Sequence, residues 1–424
     1  MAIKKSSTGK TTKQLILEAA FSFYEKPLYK DFSMSQLALK VGITKAAIYR
    51  HFVNKESLAV EMQKTFFDVL AQNILNIKKT ESESEYAISK AQRLGVVNFF
   101  AENQQYINFS IRQFLQEENF GKIMHEELFK RGVKDEFKEI YKNINIEKNK
   151  KIKKFAHCFY CGLSVLFFIK ARHHHFEQTG YKVPVDEFSE KLIKFLENGF
   201  RGSVKENSIL YPTEISDERI KELDKICSVI PGDLPLEEKI FTAFASVIEK
   251  YGINGATVEH IAEELNMAKS SLYFYFKNKN EMIYSLLSKE LNLLKTICEE
   301  NFSEAKNYSE FTYINMRTEI SYFLSRTTIL PICGWLLQSG TEPPFHDEND
   351  GLANNIWEAK LGNELKEIDL GFPLLPKYLT FWIGILPVLL IVLRTKHNLS
   401  EEETVQALKY MFDFVMYGAD FCRE

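Results

Sequence analysis

Apolar residues recur at helical spacing near the start of the chain and again near its middle. Over residues 16–24 they fall three and four positions apart, which places them on one face of a helix. The same spacing returns over residues 240–248, so both stretches are predicted to be amphipathic helices. The apolar positions are Ile16, Ala19, Ala20, Phe23 and Tyr24, and then Ile240, Ala243, Phe244, Val247 and Ile248.

These two stretches belong to a longer internal repeat. A shift of 224 positions aligns residues 16–58 with residues 240–282 without a gap, and eleven aligned positions are identical. Self-similarity at a fixed offset indicates two copies of one structural unit. In the first copy the identical residues are Ile16, Ala19, Ser22, Glu25, Lys26, Ala38, Lys45, Tyr49, Phe52, Asn54 and Lys55.

A second, shorter helix is predicted in each copy. In the first copy Ser33 is its N-cap and Gln36 completes a capping box, and the second copy starts the same helix at Thr257. Gly42 and Asn266 follow, and these residue types readily adopt the left-handed conformation that ends a helix in a sharp turn. A third helix begins immediately afterwards. Each copy is therefore predicted to be a helix-turn-helix, whose second helix can enter the major groove of DNA.

The segment SMSQLALKVGITKAAIYRHFVNKESL resembles the DNA-binding signature of the TetR family, and TVEHIAEELNMAKSSLYFYFKNKNEM resembles it again. Each has a helix, a turn, a helix, then Tyr-x-x-Phe and a lysine shortly after. The resemblance covers about a fifth of the chain directly. It implies an all-α fold in which each helix-turn-helix head precedes a TetR-type helical effector and dimerisation domain.

This resemblance predicts five segments along the chain. They are a first head (1–58), a first effector domain (59–205), a linker (206–235), a second head (236–282) and a second effector domain (283–424). In TetR-type proteins the last two helices form a four-helix bundle with a second subunit. Because two such units lie in one chain, the other half of the same chain is expected to replace that subunit, as an intramolecular pseudo-dimer.

Both effector regions end with a similar pair of predicted helices. A strongly apolar helix, predicted over Phe155–Lys170 and again over Tyr378–Leu393, precedes an amphipathic one over Val185–Arg201 and Glu401–Phe421. The two final helices share an apolar residue followed four positions later by glycine. Within the linker, the periodicity of Ser216–Val229 predicts a further helix.

Neutralising phosphates supplies most affinity for DNA, whereas reading its sequence needs side chains at the base edges. By resemblance, Tyr49 and Lys55 hold phosphates, and Thr44, Lys45 and Ala46 face the groove. Ile48 and Phe52 are predicted to be core residues. The predicted DNA-binding residues are Thr44, Lys45, Ala46, Tyr49, Arg50 and Lys55 in the first head and Lys269, Ser270, Ser271, Tyr273 and Lys279 in the second.

The second head departs from the first in several ways. Serines replace Ala46 and Ala47, and Phe274 replaces Arg50. Ala268 stands where the family usually has a hydroxyl cap, and losing a cap costs a helix about 1 kcal/mol. Phe274 and Phe276 are predicted to be core residues. We expect the second head to bind DNA more weakly or to read a different sequence.

The chain starts with a basic, hydroxyl-rich segment. Its lysines can either follow the DNA backbone or minor groove as an arm or form a solvated tail. The segment lacks an apolar stretch, so no export signal is expected. The lysines concerned are Lys4, Lys5, Lys10 and Lys13.

Composition is that of an ordinary globular protein, with 45% hydrophobic and 26% charged residues. A formal net charge of -3 means that DNA contacts must come from local basic patches. The six scattered cysteines suit reduced thiols in the cytoplasm. Leu379–Leu393 carries no charge, but it is short for a membrane span and contains a proline, so a buried helix is expected.

Each effector domain is expected to enclose a cavity for a small apolar or aromatic effector, although the sequence does not predict its lining. Trp335 and Trp357, near the loop GTEPPFHDENDG, suit either this pocket or the core. His157, Cys158 and Cys161 are zinc-ligand types, but the histidines at 173–175 lie about three helical turns away. No metal or cofactor is therefore expected.

No phosphate loop, dinucleotide-binding glycine pattern, nucleophile elbow or HExxH motif is present, so no enzyme activity is expected. The sequence predicts a ligand-responsive, DNA-binding repressor in the cytoplasm. It would read a two-half-site operator in double-stranded DNA with two non-identical heads. The alternative is a TetR-like DNA-binding protein without a small-molecule ligand, acting as a co-regulator or spatial marker.

Overall fold

The computed structural model describes residues 9–25, 32–77, 85–117, 120–134, 147–276, 279–333, 368–374, 376–394 and 397–419. Apart from one isolated bridge between Asp369 and Pro373, these residues hold no paired strands. The fold is all-α, as predicted. The chain divides into two compact units near residue 140.

The first unit contains the first helix-turn-helix and the helices that follow it. These are α1 (Thr12–Ser22), α2 (Met34–Val41), α3 (Lys45–Tyr49), α4 (Lys55–Asn76), α5 (Glu85–Glu102), α6 (Gln104–Gln116) and α7 (Phe120–Lys130). A short 3-10 turn, Phe23–Glu25, extends α1.

An aromatic cluster holds the first head against the helices behind it. Phe21 of α1 meets Phe109 of α6 edge to face, with ring centroids 5.2 Å apart. Phe109 in turn lies 5.5 Å from Phe66 of α4. The side-chain amide of Asn108 donates a 2.7 Å hydrogen bond to the carbonyl of Tyr24, so the end of the α1 segment is also anchored.

The second unit begins with the last two helices of the first half, α8 (Glu147–Thr179) and α9 (Val185–Asn198), and the linker helix α10 (Asp217–Ile226). The second helix-turn-helix and the helices that follow it are α11 (Lys239–Gly255), α12 (Val258–Glu264), α13 (Lys269–Tyr275), α14 (Lys279–Phe302), α15 (Tyr308–Ser325), α16 (Pro376–Leu393) and α17 (Glu401–Tyr417).

Helices α8 and α9 share one core with α16 and α17. Trp382 of α16 is fully buried, and its indole N–H donates a 2.9 Å hydrogen bond to Ser164 of α8. The Trp382 ring lies 5.6 Å from Phe195 of α9. Tyr160 of α8 lies 5.6 Å from Phe414 of α17. Helices from both halves of the sequence thus pack into one four-helix core.

The ends of α9 and α17 approach each other at two glycines. The amides of Phe200 and Arg201 donate hydrogen bonds of 3.1 and 2.9 Å to the carbonyls of Val415 and Met416. Gly199 and Gly418 both have positive φ, 58° and 93°. A Cβ on Gly418 would lie 2.0 Å from the carbonyl oxygen of Glu197, so a side chain does not fit there.

The linker is structured, and the predicted helix is confirmed. The Ser216 hydroxyl caps α10, and Asp224 on α10 binds three groups from two other helices. Tyr313 and Arg317 of α15 donate to it at 2.7 and 3.0 Å, and Lys409 of α17 at 2.8 Å. Burial alone would raise the pKa of Asp224, but the hydrogen bonds from Lys409 and Tyr313 lower it below its usual value.

Among the described residues, one helical segment is long and apolar enough by composition to cross a membrane. It is Lys150–Thr179 within α8, and half of its most apolar stretch is buried inside the protein. The shorter apolar segment, Tyr378–Leu393, is the one that the sequence had singled out. Its buried side chains, Trp382 among them, agree with the buried helix expected there.

The glycine contact predicts a large destabilisation by a single methyl group. Gly418→Ala should lower the free energy of unfolding by about 2 to 4 kcal/mol, because it adds backbone strain to a steric clash. Gly162→Ala is the matched control, since a Cβ there meets nothing within 4 Å, and about 0.5 to 1 kcal/mol of stabilisation is expected. Urea unfolding measures both. Equal midpoints for the two variants would contradict the close approach.

Candidate nucleic-acid interface

The first helix-turn-helix is built by the capping residues that the sequence predicted. Ser33 and Gln36 exchange hydrogen bonds of 2.8 and 3.2 Å, which forms the capping box of α2. Gly42 ends that helix with φ of 75°. The hydroxyl of Thr44 then accepts a 3.2 Å hydrogen bond from the amide of Ala47 and caps α3. The turn therefore fixes the direction in which α3 leaves α2.

The second head repeats this turn with different residues. Thr257 caps α12 by accepting a 3.3 Å hydrogen bond from the amide of His260. Asn266 takes the left-handed conformation of Gly42, with φ of 52°. Ala268 supplies no side-chain cap to α13. The second recognition helix therefore lacks a stabilising contact that the first has.

The packed faces of the heads agree with most of the prediction. Ile48 and Phe52 are buried, and Leu272 of α13 is buried at the position of Ile48. The face predicted for α1 is partly wrong. Ala19 and Phe23 are half-exposed, and Leu17 and Phe21 are buried instead, because α1 packs against α6 as well as α2 and α4.

The predicted DNA-binding residues of α3 lie on one solvent-exposed face. The side chain of Tyr49 is 41% exposed, and the ammonium of Lys45 lies 5.9 Å from its ring centroid. Lys55 opens α4, and its ammonium lies 5.4 Å from the ring of Phe32. The exposed residues of this face are Thr44, Lys45, Ala46, Tyr49 and Arg50.

The second head presents a corresponding face, but a carboxylate pairs with its lysine. Lys269, Ser270 and Tyr273 are exposed, and Ser271 is half-buried. Lys269 forms an ion pair with Glu259 of α12. The hydrogen bond between them raises the pKa of Lys269 and lowers that of Glu259. The side chain of Lys279 lies outside the described residues.

Sequence reasoning missed Glu259. The aligned residue of the first head is Ser35, so the first head has no carboxylate at this position. Glu259 lies ten residues before Lys269 and meets it because the turn folds α13 back toward α12. The exchange of serine for glutamate in the repeat alignment was a signal that could have revealed the pair.

The prediction that Phe274 belongs to the core is wrong. Its side chain is 85% exposed. Phe274 follows Ser270 by one helical turn, so it lies on the exposed side of α13, away from Leu272. Phe276 is half-buried at the end of the helix. An aromatic ring thus occupies the surface position that Arg50 holds in the first head.

The two heads differ strongly in charge. Residues 33–58 contain four lysines or arginines and one glutamate, for a net charge of +3. The aligned residues 257–282 contain three lysines and four glutamates, for a net charge of -1. The first head is therefore the more basic of the two, and it attracts anions more strongly.

Two of the four lysines predicted to form an arm or a solvated tail lie within the described residues, and both form ion pairs. Lys13 belongs to α1 and pairs with Glu61 of α4 at 2.8 Å, so it is not part of a flexible arm. Lys10 pairs with Glu18 at 2.7 Å. Lys4 and Lys5 lie outside the described residues.

Two histidines of α8, His157 and His174, have separate surroundings. The ring of His157 lies 5.3 Å from Phe414, and His174 contacts the hydroxyl of Tyr378 at 2.5 Å. The described residues contain no group of three or more side chains arranged to hold a metal ion. Trp335 and Trp357 lie outside the described residues.

Each head has a capped helix, a left-handed turn and a second helix with an exposed polar face. These features define a helix-turn-helix protein. Residues 16–62 and 240–286 match the family model described as bacterial regulatory proteins, tetR family. The chain is therefore similar to this family over two tandem segments, each of which contains one helix-turn-helix.

Two curated relatives agree with this assignment. Over 123 residues, the chain is 30% identical to a protein from Haemophilus influenzae described as an uncharacterized HTH-type transcriptional regulator, and this covers 29% of this chain and 64% of that protein. Over 104 residues it is 27% identical to the HTH-type transcriptional regulator YuxN of Bacillus subtilis, covering 24% of this chain and 35% of YuxN. The chain spans less than two thirds of the length of either relative.

Proposed function

We propose that the chain is a DNA-binding transcriptional regulator, a ligand-responsive repressor that recognises a two-part operator with two different heads. The observation that carries this proposal is the pair of helix-turn-helix units, each with an exposed polar face on its second helix. The names of both relatives support the regulatory role.

In the first head the two kinds of DNA contact are divided among different side chains. Tyr49 and Lys55 hold phosphates and set the position of α3 on the duplex. Lys45 reaches a base edge, and guanine is the base that a lysine prefers. Thr44 both caps α3 and faces the groove with Ala46, and Arg50 adds positive charge to the same face. Most of the affinity comes from this head.

The second head reads DNA with a different set of groups. Ser270 and Ser271 offer hydroxyls where the first head has alanines, and Tyr273 and Lys279 take the places of Tyr49 and Lys55. Phe274 offers an apolar contact of the kind that favours the methyl group of thymine. Lys269 reaches DNA only after its ion pair with Glu259 breaks.

In this proposal the second half of the chain takes the place of a second subunit. The shared core of α8, α9, α16 and α17 supports it, because these are the helices that pair between subunits in TetR-type proteins. The proposed segments remain 1–58 and 236–282 for the heads, 59–205 and 283–424 for the effector domains, and 206–235 for the linker. One chain then recognises one complete operator.

Selection of binding sites from a random DNA pool tests the proposal. The expected site is an imperfect palindrome whose two elements share one step, lie about one helical turn or more apart and have different flanks. Each wrong base should cost about 1 to 3 kcal/mol. Light scattering of the complex should find one chain per site. A perfect palindrome bound by two chains would contradict both the unequal heads and the intramolecular pairing.

Lys55→Ala should weaken binding to every DNA sequence alike. Loss of one phosphate contact should make the slope of log affinity against log salt shallower by about 0.9. Lys45→Ala should instead change the preferred base. Lys64→Ala is the matched control, because it removes the same charge from an exposed position of the same helix. Gel-shift titration over a range of salt measures these effects, and an unchanged slope for Lys55→Ala would refute its phosphate role.

Glu259→Ser should strengthen DNA binding, because it frees Lys269 and restores the serine that the first head has at this position. The salt slope should steepen by about 0.9 if Lys269 then meets a phosphate. Glu263→Ser makes the same change in net charge from an exposed position on α12 and is the control. If both variants change affinity equally, the ion pair has no specific role.

A further inference from the structure

The linker contacts α15 along most of the length of that helix. The amide of Thr213 donates a 2.9 Å hydrogen bond to the hydroxyl of Ser309, in the first turn of α15. The amide of Val229 donates a 2.8 Å hydrogen bond to the hydroxyl of Ser321, about three turns later. Both serines are buried, so these contacts satisfy polar groups inside the protein. We call residues 213–235 the linker strap.

Arg326, the C-cap of α15, holds the end of the linker strap. Its side chain is 7% exposed, and its Nη2 atom donates a hydrogen bond to the carbonyl of Pro235. Its Nη1 and Nε atoms lie 3.4 and 3.5 Å from carboxylate oxygens of Glu237 and of Glu290 in α14. The hydroxyl of Thr328 donates a further 2.6 Å hydrogen bond to Glu237. One buried guanidinium group therefore joins the linker strap to α14 and α15.

The contacts of Arg326 lie directly before the second head. Helix α11, the first helix of that head, starts at Lys239, two residues after Glu237. Glu238, the residue between them, forms a 2.5 Å ion pair with Lys289 of α14. Consecutive Cα atoms are about 3.8 Å apart, so a displacement at Glu237 reaches the first turn of α11. The start of the second head is thus fixed to the helices that follow it.

The first head is held to its unit in a different way. Phe21 of α1 packs against Phe109 of α6, and the residue aligned with Phe21 in the second head is Ala245. Alanine has no ring to repeat this contact. A planar guanidinium group binds oxygen atoms in fixed directions, whereas burial of apolar surface has no directional preference. The contacts of Arg326 therefore fix both the position and the direction in which the chain enters α11.

We propose that Arg326 is a positioning residue for the second head. By holding Pro235 and Glu237, it fixes the direction in which α11 and the recognition helix α13 leave the linker strap. It thereby narrows the range of distances between the two operator elements that the chain accepts. This inference rests on the proposed function, because only a two-part operator has such a distance.

Fixing the second head before it binds affects both affinity and selectivity. A head that is already ordered loses less conformational freedom when it meets DNA. Without the contacts of Arg326, that ordering takes place on binding and lowers the affinity at the preferred distance. A head that can turn also reaches elements at other distances. The preference for one distance therefore weakens together with the affinity.

Gel-shift titration with the selected operator, and with a version lengthened by two base pairs between its elements, tests this role. Two added base pairs turn the second element about 70° around the DNA axis. The unaltered chain should bind the lengthened DNA about tenfold more weakly than the selected operator, a loss of the size expected for one wrong base pair. The ratio of the two affinities is the measured quantity.

Two variants remove the contacts of Arg326 from different sides. Glu237→Ala removes the carboxylate before α11, and Arg326→Lys keeps a positive charge near Glu290 but loses the planar group that contacts three segments at once. In both variants the loss caused by lengthening should fall below about threefold. Glu222→Ala is the matched control, because Glu222 is an exposed acid of the same strap that pairs with Arg219, and the full loss should remain. A variant that is simply less stable would weaken binding to both DNAs by the same factor and leave their ratio unchanged.

Three outcomes would overturn the proposal. They are equal binding of both DNAs by the unaltered chain, a ratio that either variant leaves unchanged, and an equal fall in the ratio for Glu222→Ala. Tight binding of the selected two-part operator with any of these outcomes rejects the role of Arg326 alone. Failure of the selection to find a two-part site rejects the proposed function, and this inference with it.

Discussion

The contact between the ends of α9 and α17 is the constraint on which the second unit depends. At Gly199 and Gly418 the two backbones lie too close for any side chain, and main-chain hydrogen bonds join them directly. Positive φ at both glycines allows each chain to turn away immediately after the crossing. In the same core, Trp382 of α16 is buried against Ser164 of α8 and Phe195 of α9. Helices separated by more than 200 residues thus behave as one core.

The two heads show how far a repeat can diverge on its surface while its interior stays the same. Ile48 and Leu272 fill equivalent buried positions, and Gly42 and Asn266 make equivalent turns. The exposed positions differ, and Phe274 occupies the position that Arg50 has in the first head. Packing and turn geometry restrict the interior, whereas solvent imposes few restrictions on the surface. The difference between the heads therefore lies in their exposed side chains, and their shared fold does not imply a shared surface.

Local rules were enough to predict the caps, the turns and most buried positions of the heads from the sequence. They failed where contacts join distant residues or where an apolar side chain stays exposed. The Lys269–Glu259 pair depends on the angle of the turn between α12 and α13. Phe274 was wrongly predicted to be buried. Buried side chains are mostly apolar, but an apolar side chain need not be buried, since much of any protein surface is apolar. DNA and ligand contacts cannot be read from helical periodicity.

Fusion of the two units explains why an acidic, partly apolar second head can be tolerated. Phosphate neutralisation supplies most of the affinity of a DNA-binding protein, and the first head carries the net positive charge. Under the proposed function, once that head is bound to DNA, the tethered second head acts at a high effective concentration, so weak contacts are enough to complete the complex. In a dimer of identical chains, a change that weakens one head weakens both. Within one polypeptide the second head is free to lose charge and gain side chains such as Phe274, which under the proposed function discriminate among bases.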